Sequence, residues 1–299
     1  MEQVPGRRAG GVRPGGSPLT LADAWGRLLT VRQRPERIVS LVPSLTEALF
    51  AFGLEREIVG VTRFCTEPRQ GVAGKTKVGG TKAVDAAKIR DLKPDLVVAS
   101  AEENSLEDVT RLIDHGCPVF VTLVTSVESA IDLLRQLATI TDTTGAARPI
   151  IQGAKDALAS VRAAGAGRER VRVFCPIWRN PYMTCARGTY MNDIITVCGG
   201  RNVFGERQER YPRLELADMA ALDPQVILLP SEPYRFTKRH KADFRAFPEV
   251  TAVKNGHIFF IEGRVLTWYG PRIAQSLSEV KRLLGIARAA GKSSESPPS

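Results

Sequence analysis

The most informative segment of this chain reads Arg37-Ile-Val-Ser-Leu-Val-Pro-Ser-Leu-Thr-Glu-Ala-Leu-Phe-Ala-Phe-Gly53. It opens with a short apolar run, which is typical of a buried strand. Ser44 followed by Glu47 predicts a capping box, and apolar residues then recur at helical spacing until Gly53. The segment therefore predicts a strand that runs directly into a helix. The first N–H groups of such a helix can bind a carboxylate or a phosphate.

The same pattern returns further along the chain. Leu92-Lys-Pro-Asp-Leu-Val-Val corresponds to Leu222-Asp-Pro-Gln-Val-Ile-Leu, at an offset of 130 residues. Gly116 stands before one apolar run and Gly256 before another, in corresponding places. Two copies of one α/β unit are the simplest account of this repetition.

We therefore expect two Rossmann-like α/β lobes joined by a long backbone helix, with a ligand cleft between the lobes. Pro149 near a helix start and an uninterrupted helical pattern to Arg162 favour a stiff connection. The predicted division is a disordered N-terminus at 1–18, a first lobe at 19–125, a helical connection at 126–165, a second lobe at 166–286 and a disordered tail at 287–299.

The composition favours an anionic partner, since the formal net charge is +10. No motif of a nucleic-acid-binding fold accompanies that charge, and the alternative is a solvated basic face. The 5 cysteines are an odd number without CxxC spacing, which argues against a disulfide framework and a structural zinc site. Because residues 1–18 lack the apolar run of a signal peptide, we expect a cytoplasmic protein, or a periplasmic or cell-surface one if the start is misassigned.

Several motifs in order give a family resemblance. They are Asp23-Ala-Trp-Gly-Arg, Pro35 to Glu47, Leu92-Lys-Pro-Asp-Leu, Cys198-Gly-Gly-Arg-Asn-Val-Phe204 and Gly270-Pro-Arg-Ile273. The chain resembles the class III, helical-backbone (TroA-like) substrate-binding proteins, the receptors for vitamin B12 and iron–siderophore complexes, and most of all the vitamin B12-binding branch. The resemblance implies two α/β lobes bridged by a long helix, with an ABC transporter permease as partner.

The chain departs from that family pattern at four positions. Thr81 and Ser100 stand where the B12-binding branch carries aromatic residues. Ala87 and Thr267 stand where the family has the glutamates that dock on the transporter. These departures indicate a relative that need not feed a transporter. We also expect a monomer, without membrane insertion because no segment could span a bilayer, and without a nucleic-acid partner.

Ligands of such α/β folds lie at the carboxyl ends of the strands. The ligand-binding candidates of the first lobe are Ser44, Arg63, Phe64, Gly80, Thr81, Lys82, Glu102, Glu103 and Asn104. Those of the second lobe are Trp178, Arg179, Met183, Tyr190, Glu232, Tyr234, Phe236, Trp268, Tyr269 and Arg272. Flat aromatic faces beside cations suit a large amphipathic ligand with anionic side groups. For each aromatic residue the alternative is lobe packing, and for Glu102 and Glu232 it is helix capping.

We expect no catalytic residue and no intrinsic cofactor, because no nucleophile elbow, Walker loop or Rossmann glycine fingerprint is present. His240 is the one metal-ligand candidate, as an axial ligand to a cobalt already held in a corrin. The leading hypothesis is non-catalytic binding of a metal chelate, cobalamin or another corrinoid. The alternatives are binding of an iron–siderophore or haem, and a cytoplasmic enzyme or chaperone that handles corrinoids.

Overall fold

A computed structural model describes residues 18–293 of the chain. Two compact units divide it: unit 1 runs to Leu123 and includes Asp132–Ile150, and unit 2 comprises Val124–Ile131 and the residues from Ile151 onward. The predicted disordered N-terminus lies, apart from Pro18, outside the described residues.

Unit 1 alternates strands and helices. Its elements are β1 (Leu19–Ala22), β2 (Leu28–Val31), β3 (Ile38–Ser40), α1 (Pro43–Ala51), β4 (Ile58–Val61), α2 (Arg69–Ala73), β5 (Thr76–Lys77), β6 (Gly79–Gly80), β7 (Ala83–Val84), α3 (Ala86–Asp91), β8 (Leu96–Ser100), α4 (Leu106–Asp114) and β9 (Val119–Thr122). The five-stranded sheet has the order β5-β4-β3-β8-β9, and all of its pairs are parallel. Every residue of β8 is buried, as expected for a parallel sheet covered on both faces.

Two long helices follow, α5 (Val127–Ile140) and α6 (Thr144–Gly165). Both are divided between the two units, so the boundaries predicted at residues 125 and 166 stay predictions. The predicted start of α6 near Pro149 was wrong, because Thr144 already begins the helix and Pro149 lies inside it.

Unit 2 repeats the alternation with an added hairpin. Its elements are β10 (Val171–Phe174), β11 (Pro176–Trp178), β12 (Tyr182–Thr184), α7 (Tyr190–Val197), β13 (Gly200–Asn202), β14 (Arg213–Leu214), α8 (Leu216–Ala221), β15 (Val226–Pro230), a 3-10 turn (Lys238–His240), α9 (Lys241–Arg245), α10 (Thr251–Lys254), β16 (Ile258–Ile261), α11 (Arg264–Thr267) and α12 (Ile273–Ser293). The parallel sheet has the order β13-β10-β15-β16, and β11-β12-β14 form a separate antiparallel sheet.

The predicted α/β class with parallel sheets is confirmed, and so is the internal repeat. Strands β8 and β15 lie at the predicted offset of 130 residues, and the Pro-containing turn before each holds a residue at positive φ, Lys93 at 47° and Asp223 at 42°. Gly116 and Gly256, at φ of 77° and 72°, precede the next strand in each unit. Glycine adopts this left-handed conformation without steric cost.

Three local predictions need correction. Ser44 does not cap α1, since Val42 is the N-cap and Pro43 takes the first helical position, where its fixed φ and missing N–H suit it. Helix α4 is capped by Ser105, whose hydroxyl accepts from the Asp108 N–H, and not by Glu102. The tail expected from residue 287 is helical as far as Ser293.

Candidate functional site

In unit 1 the strand order reverses between β3 and β8, which makes their carboxyl ends a topological switch point. Asn104 ties these ends together: its Oδ1 accepts from the Ser100 N–H at 2.7 Å, and its Nδ2 donates to the carbonyls of Leu41 at 3.3 Å and Thr81 at 3.0 Å. The side chain is buried. Asn104 therefore fixes the shape of this edge.

The other unit 1 candidates follow the same sheet edge. The Arg63 guanidinium lies 5.0 Å from the centroid of the Phe64 ring, and Phe64 is 49% exposed. A Cβ at Gly80 would come within 3.3 Å of both side chains, so glycine leaves room for the pair. Lys82 donates to the Glu102 carbonyl at 2.7 Å.

The two glutamates do not serve as helix caps in this loop. The N–H groups of Glu102 and Glu103 donate to the Ser100 hydroxyl, at 3.2 and 3.3 Å. Ser100 stands where the B12-binding branch carries an aromatic residue. Its hydroxyl shapes the loop by accepting these two hydrogen bonds.

Ser44 lies in the first turn of α1 with its hydroxyl buried. Among the described residues, its Oγ has no hydrogen-bond partner. A buried, unsatisfied hydroxyl is costly, and the first turn of a helix presents free N–H groups. Because this Oγ is also closed off from solvent, the role of Ser44 in ligand binding stays a prediction.

In unit 2 the strand order reverses between β10 and β15. The Trp178 and Tyr234 rings meet there, edge to face, with centroids 5.7 Å apart. Trp178 is 44% exposed, an unusual arrangement for a tryptophan. Met183 pairs with Trp178 on the neighbouring strand and is partly buried. This edge therefore presents an aromatic face to solvent.

A polar cluster lies directly beside that face. Arg179 pairs with Asp243 through an Nε–Oδ2 distance of 2.7 Å, and the Tyr182 hydroxyl donates to the same oxygen at 2.5 Å. The Arg179 hydrogen bond holds the pKa of Asp243 below its usual range. Arg179 thus already has a carboxylate partner. Sequence reasoning missed this contact, although Asp243 is the one acidic residue in the basic stretch 235–245.

Phe236 and His240 are buried beneath this edge. Phe236 belongs to the core of unit 2. The His240 Nδ1 accepts from the Thr237 N–H at 2.9 Å, and Nε2 lies 3.5 Å from the Tyr234 hydroxyl and 3.2 Å from Arg239 Nε. Both ring nitrogens face protein groups, and the axial-ligand role of His240 stays a prediction.

Trp268 and Tyr269 are buried as well. The guanidinium carbons of Arg264 and Arg272 lie 4.7 and 5.6 Å from the Trp268 ring centroid. Sequence reasoning missed Arg264, although its spacing of four residues from Trp268 was a usable signal.

The remaining candidates of unit 2 surround this tryptophan's loop. The Tyr190 and Tyr269 rings meet with centroids 5.7 Å apart, and burial raises the pKa of Tyr190. The Glu232 carboxylate accepts from the Thr267 hydroxyl at 2.9 Å. The structure thus brings Trp178, Arg179, Met183, Tyr234 and Phe236 into one group and Trp268, Tyr269, Tyr190 and Arg272 into another.

Within residues 18–293 no group of three or more His, Cys, Asp or Glu side chains could hold a metal ion. No helix in that part of the chain is long and apolar enough to cross a membrane.

Comparison with known proteins decides the family. Residues 38–265 match the family model described as "Periplasmic binding protein", which covers more than half of the chain. This chain belongs to that family.

Relatives of this periplasmic binding protein include the vitamin B12-binding protein of Vibrio parahaemolyticus serotype O3:K6, 25% identical over 84% of the chain and 90% of the relative. Among solved structures, the periplasmic vitamin B12-binding protein of Vibrio cholerae is similar, with a TM-score of 0.75, 24% identity and coverage of 85% of this chain and 98% of that one. A periplasmic heme-binding protein from Roseiflexus sp. RS-1 shares the fold, with a TM-score of 0.72, 21% identity and coverage of 84% and 98%.

The resemblance inferred from the sequence motifs is therefore confirmed. The relatives named here are all described as binding proteins. Both solved structures are described as periplasmic, and the expected cytoplasmic location finds no support in them.

Proposed function

We propose that this periplasmic binding protein binds a corrinoid, with cobalamin as the leading candidate, without chemical conversion of the ligand. The observation that carries the proposal is the exposed Trp178 ring, braced by Tyr234 at the switch point of the unit 2 sheet. Similarity to vitamin B12-binding proteins over 84% of the chain supports the choice of ligand.

The chemistry of each edge supports a large amphipathic ligand. Unit 1 presents Phe64 beside Arg63, and unit 2 presents Trp178 next to Arg179 in the sequence. A flat aromatic face binds the apolar side of a macrocycle, and a neighbouring guanidinium donates to amide or phosphate oxygens.

The proposed role includes delivery of the ligand to an ABC transporter permease on the outer side of the cytoplasmic membrane. The family description, "Periplasmic binding protein", supports the location that this role requires. Ala87 is exposed on α3, and the Thr267 hydroxyl is bonded to Glu232. Because neither position carries an acid, docking on a permease would rest on other surface residues.

Haem or a ferric siderophore is a second candidate ligand class. Arg264 and Arg272 flank Trp268, and paired guanidinium groups suit carboxylate side groups on a flat ligand. The shared fold of the Roseiflexus heme-binding protein is consistent with this class.

A difference-absorbance titration of the full chain with cyanocobalamin, dicyanocobinamide, haemin and a ferric hydroxamate distinguishes these classes. We expect saturable binding of a corrinoid, weakened at least about tenfold by Trp178→Ala and by Phe64→Ala, since tenfold corresponds to about 1.4 kcal/mol. Phe260→Ala is the matched control, because Phe260 is similarly exposed and lies 5.1 Å from Lys241 Nζ, but is not a candidate.

Saturation by haemin or the ferric hydroxamate alone would replace the corrinoid with the second candidate class. Failure of every corrinoid to bind would refute the proposal. Recovery of the bound corrinoid with an unchanged mass is expected of a binding protein, and a changed mass would favour the corrinoid-handling enzyme.

A further inference from the structure

Two of the cysteines of unit 2 lie opposite each other at the base of the β11–β12 hairpin. Pro176 pairs with Thr184 in the antiparallel register. One step further toward the base, the same register places Cys175 directly opposite Cys185. The irregularity in the ladder lies on the other side, between Pro176 and Trp178, and does not affect this step.

The backbone geometry of that pair suits a disulfide. Directly opposite residues of antiparallel strands have Cα atoms about 4.5–5.5 Å apart, and disulfides bridge Cα atoms about 4.4–6.8 Å apart. The Thr184 hydroxyl donates to the Cys175 carbonyl at 2.7 Å, and the Asn202 amide donates to the Cys185 carbonyl at 2.8 Å. These bonds hold both residues of the pair in place.

The side chains are also in contact. Interaction with the Cys185 side chain is the first cause that raises the pKa of the Cys175 thiol, followed by burial. The other cysteines have different neighbours: Cys65 lies 3.1 Å from the Thr46 hydroxyl and 3.2 Å from the Thr62 hydroxyl, and the Cys198 thiol donates to the Leu277 carbonyl. Cys117 is partly buried at the unit 1 core.

We propose that Cys175 and Cys185 form a disulfide when the protein folds under oxidising conditions. The two thiols lose two protons and two electrons, an S–S bond forms, and an oxidised thiol reagent such as glutathione disulfide is reduced to two thiols. Because both side chains are fully buried, the bond forms during folding, before the hairpin closes over the sulfurs.

This bond would close a loop that carries Trp178 and Arg179 and would fix the hairpin to the end of β10. Cross-linking removes conformational freedom from the unfolded chain, and so it stabilises unit 2.

A non-reducing peptide map of the full chain tests the proposal. The protein is unfolded in denaturant with reductant, refolded in a glutathione redox buffer, alkylated and digested with trypsin. Cleavage after Arg172, Arg179 and Arg187 places the two cysteines on adjacent peptides, 173–179 and 180–187. We expect these peptides to be joined, three alkylated cysteines elsewhere, and a Tm about 5–10 °C above that of the reduced protein.

Cys185→Ala should lose both the link and the rise in Tm, whereas Cys117→Ala is the matched control and should keep both. Unlinked peptides from the refolded wild-type chain, or a bond from either cysteine to Cys65, Cys117 or Cys198, would overturn the proposal. The wild-type map decides the question even if Cys185→Ala fails to fold.

Discussion

The two units differ in the contacts that join their strands at the switch point of each sheet. In unit 1 the strands that flank the switch point are joined by the amide of Asn104, which bonds to the Leu41 and Thr81 carbonyls. In unit 2 the corresponding strand ends are joined by the Trp178 and Tyr234 rings. One edge is therefore a buried polar network, and the other is an aromatic surface that solvent reaches.

Below these edges the units are built alike. The Asp95 carboxylate accepts from the Arg37 N–H at 2.9 Å, and the Gln225 side chain, 130 residues later, accepts from the Arg172 N–H at 2.9 Å. The two units therefore share a scaffold and differ at the carboxyl ends of their strands, the part of such a fold where ligands bind.

The largest expected effect is the loss of stability when the Asn104 amide is removed from the polar edge of unit 1. Asn104→Ala leaves the Ser100 N–H and the carbonyls of Leu41 and Thr81 without their buried partner, which should lower the free energy of unfolding by about 2–4 kcal/mol. Urea unfolding followed by circular dichroism measures the change. Asn255→Ala is the matched control, because Asn255 is exposed and its loss should cost less than about 0.5 kcal/mol. Equal costs would show that the amide does not hold the edge.

The next largest effect on stability is expected in the Pro-containing turn, and it should differ between the two copies of that turn. Asp223 and Lys93 both have positive φ, but the Asp223 carboxylate accepts from the Thr251 N–H at 2.7 Å and from Arg172 at 2.7 Å, while Lys93 is exposed. Asp223→Gly should therefore lower the free energy of unfolding by about 2 kcal/mol. Lys93→Gly should raise it by up to about 1 kcal/mol, because glycine relieves the strain.

The same unfolding experiment compares both variants with wild type. Changes of the same sign in the two turns would contradict the distinction between a turn held by side-chain bonds and one that is only strained.

The sequence predicted the scaffold because its signals are local. The segment from Arg37 to Gly53 and the repeated Pro turn each carry their pattern within a few neighbouring residues. The edges were harder to predict, because their contacts join residues distant in sequence. Trp268 is buried, and its place at the ligand stays a prediction, since an aromatic before a Gly-Pro turn gives no sign of which face it packs on. The Cys175–Cys185 pair is visible only once the hairpin register is known.

The smallest expected effect concerns the loop under the aromatic edge, and it depends on pH. Burial, followed by the charges of Arg239 and Arg179, lowers the pKa of His240, while Asp243 opposes the shift. The unfolded chain therefore binds this proton more readily than the folded chain. The stability from neutral His240 is fully present above pH about 6.5, the ordinary pKa of histidine, and is lost as the pH falls from there through the lowered pKa of the folded protein. Asp243, whose own pKa is lowered, acts only at more acidic pH.

Thermal unfolding of wild type and His240→Gln between pH 8 and pH 5 measures this contribution. Wild type should lose more stability than the variant as the pH falls below about 6.5, since glutamine does not titrate. His115→Gln, at an exposed histidine of unit 1, is the control and should follow the wild-type curve. If His240→Gln also follows that curve, the Thr237 N–H bond to the neutral ring does not stabilise the loop, and the aromatic edge is held by ring packing alone.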